Sequence, residues 1–125
     1  MNELTVEDLL EEITKCDSRY SIEAYSFIRE ALDYTVNKLN KPRHVSANEL
    51  LEGIREFALQ EFGPLSKRVL FEWGINSCED IGNIVFNLVD IGLLGKTKED
   101  RLESFQEGYD FHEALETPFL PEKVI

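Results

Sequence analysis

With 125 residues, 42% of them hydrophobic and 30% charged, the chain has the size and composition of one globular domain around a single core, which excludes compositional disorder. Its 25 acidic and 13 basic residues leave a formal charge of −12, and the acids are spread along the chain. A surface of that sign repels phosphate backbones and anionic lipid, so nucleic acid is disfavoured as a partner and no membrane partner is expected.

The first predicted helix runs from Val6 to Lys15, opened by Thr5 as N-cap with Asp8 three residues on and Leu4 and Leu9 at the staple positions. Asp17 and Ser18 break it. Ser21 then caps a second helix in which Ala24, Phe27, Ile28, Ala31, Leu32, Thr35 and Leu39 recur at the helical period and so mark a core face. Pro42 makes the stretch from Asn40 to His44 an extended loop. Beyond it Val45, Ser46, Glu49 and Leu50 combine a capping box with a staple, the sharpest local signal in the sequence.

The third helix carries Leu50, Leu51, Ile54, Phe57, Ala58 and Phe62 on one face and ends at Gly63 in a left-handed cap, with Pro64 opening the fourth. That fourth helix spans about Leu65 to Trp73 and stops at Gly74. Ser77 and Asp80 open a fifth, which reaches about Ile91 before Gly92. Its apolar residues Ile81, Ile84, Val85, Phe86, Leu88, Val89 and Ile91 leave a narrow polar face of Glu79, Asp80, Asn83, Asn87 and Asp90, which predicts a central, buried helix.

Residues 93–105 read either as a short β-hairpin around a polar turn or as a helical turn capped by Thr97. The fold class expected is therefore mainly α: a five-helix domain with a helix-turn-helix, winged-helix-like C-terminal half from Arg68 to Leu94. One domain covers 1–125, its core at about 4–105, followed by an aromatic segment, 106–125. In that segment Phe111, Leu115 and Phe119 form an i, i+4, i+8 stripe that must cover something: the domain itself, as a lid, or a partner, as a docking helix.

Three stretches, EAYSFIREALDYT (23–35), HVSANELLEGIREFALQEFGPLSKRVL (44–70) and GLLGKTKEDRLESFQEGYDF (92–111), carry a resemblance that spans nearly the whole chain. In them the sequence resembles a family of uncharacterised bacterial proteins restricted to Verrucomicrobia and Planctomycetes. It departs from that family's expected polar or acidic character at Leu102 and His112. The resemblance implies a bacterial protein and carries no activity, cofactor or site residue.

Motifs for chemistry are sparse. Cys16 and Cys78 have no CxxC spacing, and the chain begins without a basic or apolar signal region, so a cytoplasmic protein without a disulfide framework is expected. Cys78 falls in the first turn of the fifth helix, but Glu79 and Asp80 oppose a thiolate there and an inert thiol is the expectation. His44 and His112 belong to no zinc-ligand pattern, and the carboxylates Glu99, Asp100, Glu103, Glu107 and Asp110 lack calcium-loop spacing. Gly92 to Thr97 has the residue types of a phosphate loop without its glycine spacing or context, and no cofactor is expected. Trp73 continues the Val69 and Leu70 face and is expected in the core.

Three functional readings follow. The first is a non-enzymatic regulatory or protein-interaction module, with another protein as partner, acting through an acidic surface and the stripe of Phe111, Leu115 and Phe119. The second is a winged-helix DNA-binding regulator in which Asn83 and Asn87 read the major groove while Lys96, Lys98 and Arg101 touch phosphates. The third is an enzyme or ligand-binding protein whose site no motif marks.

Overall fold

A computed structural model describes residues 5–40, 45–94, 105 and 108–119, the side chain of Phe119 excepted. The fold is mainly helical: α1 (Val6–Cys16), α2 (Ile22–Leu39), α3 (Ala47–Phe62), α4 (Ser66–Glu72) and α5 (Cys78–Asp90). A 3-10 turn at Gly63–Leu65 joins α3 to α4, and a π-helical turn at His112–Glu116 precedes a 3-10 turn at Thr117–Phe119. No helix among the described residues is long and apolar enough to cross a membrane.

The N-termini form where polar side chains meet exposed backbone N–H groups. Thr5 accepts from the Asp8 N–H at 3.1 Å while its own N–H donates to the Asp8 carboxylate at 3.0 Å. Ser46 and Glu49 repeat the reciprocal arrangement, and Ser21 and Ser77 cap α2 and α5 with single bonds. At the C-termini, Gly74 donates to the Phe71 carbonyl and Ile75 to that of Leu70, the paired bonds of a Schellman motif. Gly92 and Leu93 close α5 in the same way, through Val89 and Leu88. Gly63 also has positive φ, but its ψ of −131° lies outside the left-handed helical region expected for it.

α2 and α3 form the main helix pair, and their crossing is set by one glycine. A Cβ built on Gly53 would lie 1.7 Å from Thr35 Oγ1, so only a hydrogen fits between the helices there. Thr35 itself is buried and turns its hydroxyl back to the Ala31 carbonyl at 2.7 Å, which satisfies it without water. α5 lies against α2 and buries Ile81, Ile84 and Leu88 completely. Leu39, expected in the α2 core stripe, is exposed at the helix end, and Tyr25 takes a fully buried place instead.

The α3–α4 corner is tied by Ser66, whose hydroxyl faces the carbonyls of Ala58 at 2.8 Å and Gly63 at 2.6 Å. Between α4 and α5 the buried Ile75 plugs the turn, and Gly74, at φ +96°, comes against the Arg19 carbonyl. A Cβ at Gly74 would sit 2.2 Å from that oxygen.

The C-terminal segment packs on this framework. Phe105 is buried edge-on to Phe86, while Phe111, Ala114 and Leu115 join the same core cluster as the helices. Tyr109 donates its hydroxyl to the Leu51 carbonyl at 2.7 Å, and Lys67 on α4 pairs with Glu116 at 2.8 Å. Among the described residues there is no strand, and residues 95–104 of the expected hairpin lie outside them.

Candidate functional site

On the polar face of α5, Asp80, Asn83 and Asn87 meet the α1–α2 junction, while Glu79 and Asp90 are exposed. Asn87 donates from Nδ2 to the Asp17 carboxylate at 2.9 Å and to the Tyr25 hydroxyl at 3.0 Å, which uses both amide protons. Asn83 donates to the Tyr20 hydroxyl at 3.0 Å, and Tyr20 in turn donates to Asp80 at 2.6 Å. Arg19 forks onto Asp17 at 2.9 and 2.7 Å and lies over the Tyr20 ring. The Arg19 hydrogen bonds hold the Asp17 carboxyl well below the usual carboxylate range, while burial pushes the Tyr20 phenol above its ordinary value.

This arrangement changes the meaning of the two asparagines expected as base readers. Both amide protons of Asn87 and one of Asn83 already have partners inside the molecule, so turning either side chain to a base edge first requires breaking part-buried hydrogen bonds. Lys96, Lys98 and Arg101, the expected phosphate contacts, lie outside the described residues. The network is a clamp joining the α1–α2 turn to α5.

Phe111 and Leu115 of the C-terminal stripe are likewise inward. Phe111 and Leu115, expected either to cover the domain or to meet a partner, are 5% and 1% exposed, so these two side chains are buried within this chain and do not form a free surface. The physical reason is the apolar surface of α3 and α4, against which the turn at His112–Glu116 packs and which would otherwise face water. The Phe119 side chain lies outside the described residues.

The remaining residues for chemistry are placed apart. Cys78 is buried beneath Tyr109, and burial raises its thiol above the usual value, away from nucleophilic character. Cys16 is exposed at the end of α1. His112 is exposed, with Nδ1 at 3.1 Å from Glu116, and His44 lies outside the described residues. Among the described residues no group of three His, Cys, Asp or Glu side chains is disposed to hold a metal ion.

A surface groove of about 390 Å³ lies between α2, α3 and the end of α4. Its floor is a cluster of rings: Phe27 has Phe57 at 5.4 Å, Phe62 at 5.6 Å and Trp73 at 5.6 Å, and Trp73 meets Phe62 edge-on at 5.7 Å. Phe27 is buried, whereas Phe57, Phe62 and Trp73 are partly buried and line the groove. Glu23 and Glu30 line it from α2, Glu61 from α3, with Ile22 and Ser26 completing the walls. No lysine or arginine lines it, and among the described residues the three carboxylates form no ion pair.

Sequence periodicity assigns Phe27, Phe57 and Phe62 to core stripes, and each does touch the core. What it misses is that the two stripes meet off-centre, leaving one edge open beside Trp73 and flanked by acids. The available signal was the placement of Glu23 and Glu30 beside Phe27, and of Glu61 beside Phe62. It acquires meaning only once α2 and α3 are known to be neighbours. Compared with known proteins, the chain matches no family model, no curated protein and no solved structure.

Proposed function

We propose that this protein is a non-enzymatic, cytoplasmic protein-interaction module, and that its docking face is the aromatic groove between α2, α3 and α4. The observation that carries the reading is the groove itself: partly buried rings of Phe57, Phe62 and Trp73 rimmed by Glu23, Glu30 and Glu61. Aromatic side chains are the residues that most often dominate binding energy, and unpaired acids around them favour a partner of opposite charge.

In this reading the order α4, turn, α5 is a helix-turn-helix-like scaffold, and α5 serves as a central structural helix. The DNA-binding alternative draws no support from Asn83 and Asn87, whose side chains are hydrogen-bonded within the clamp, or from a net charge of −12.

The test is site-specific photocrosslinking in the native cell. A photoreactive residue at Ser26, inside the groove, is expected to capture a discrete protein resistant to nuclease, whereas one at Glu12 on α1 is not. Glu61→Lys should abolish the Ser26 adduct without unfolding the chain, because Glu61 is exposed. Equal labelling from both positions, or an adduct indifferent to Glu61→Lys, would show that the groove is not the docking face.

A further inference from the structure

We infer that the groove receives an arginine side chain presented by an apolar segment of a partner protein, with the guanidinium between the aromatic floor and the carboxylates of Glu23, Glu30 and Glu61. The inference rests on the proposed docking role of the groove and names the chemistry of its occupant. Aromatic rings line the groove, and a cation placed over a ring face is attracted at close range. The rim supplies three carboxylates and no competing base among the lining residues.

Their spacing brackets the ligand. Glu23 and Glu30 are two helical turns apart, about 10 Å along α2, and Glu61 faces them from α3. A planar guanidinium stacks on a ring and forks onto a carboxylate at the same time, whereas a lysine ammonium is a compact, strongly hydrated point charge that does neither as well. A volume of about 390 Å³ is at the small end for a binding site, which suits one or two side chains rather than a whole helix laid into the surface. The charge of −12 opposes both a second copy of this chain and a nucleic acid as occupant.

Trp73 is the only tryptophan in the chain and lines the groove, so its emission reports occupancy directly in the full-length protein. The probe is a blocked pentapeptide alternating leucine and arginine, compared with versions carrying lysine or citrulline, the latter a neutral mimic of arginine. The arginine peptide is expected to change Trp73 emission saturably, with citrulline binding weaker by about tenfold or more and lysine in between. Glu61→Gln should weaken the arginine peptide, and Glu12→Gln should not.

Equal binding of the citrulline peptide overturns the inference, since the groove would then read apolar surface alone. Silence of Trp73 to every peptide overturns it as well. In either case a protein still crosslinked at Ser26 leaves the docking role standing, whereas loss of that adduct too removes both. Self-association detected by sedimentation, with a matching change in Trp73 emission and no peptide present, would assign the groove to a second copy and overturn the arginine assignment.

Discussion

Asp17 shows how one residue ends a helix and ties that end to another helix. Its backbone N–H closes α1 on the Ile13 carbonyl, while its carboxylate accepts from Arg19 and Asn87. Hydrogen bonds from Arg19 hold its pKa well down, burial opposes them, and Asn87 adds to the lowering. In the unfolded chain an aspartate titrates at about 3.9. Between that value and the lower folded pKa the unfolded chain binds more protons, so this stability is present above the window and lost as pH falls through it. Asp17→Asn should therefore cost about 1 kcal/mol near neutrality, and the wild-type advantage should shrink below about pH 4. Urea denaturation of both proteins across that range checks this, and an advantage that stays constant into acid would show that the carboxylate is not paired.

At the scale of elements, the caps were legible and the crossings were not. Thr5, Ser21, Ser46 and Ser77 begin the helices, and Gly74 and Gly92 end them, as residue type and spacing predict, because a cap is closed by groups a few residues away. The α2–α3 crossing depends on Thr35 and Gly53, eighteen positions apart, and nothing local marks them as neighbours. Gly53→Ala places a methyl group inside the Thr35 side chain and should destabilise the fold by about 1–3 kcal/mol. A compensating Thr35→Ala should recover part of that loss, a coupling that equilibrium unfolding of the two single variants and the double variant will measure. Strict additivity would mean that the helices shift to relieve the contact.

For the whole molecule, the C-terminal segment is part of the core, since Phe105, Phe111, Ala114 and Leu115 share one buried cluster with the five helices. Leu115→Ala should cost about 2–5 kcal/mol, read as a lowered unfolding midpoint in urea. A docking residue on the surface would instead leave stability within about 0.5 kcal/mol and change binding alone. The segment's aromatic content revealed that it had to be covered, but whether by this chain or by another depended on the apolar surface left on α3 and α4.

By itself, the sequence determined the helices, their ends, the mainly helical class and the acidic character of the surface. Each follows from hydrogen bonds within a turn, the period of the apolar residues, or the sum of the charges. Only the tertiary structure decided that Asn83 and Asn87 serve the Tyr20, Tyr25 and Asp17 clamp, that Phe111 and Leu115 face inward, and that Glu23, Glu30 and Glu61 surround one aromatic groove. The partners in each of those contacts are brought together by helix packing, and a periodic pattern states which face of a helix is apolar without stating which neighbour covers it or where the cover stops.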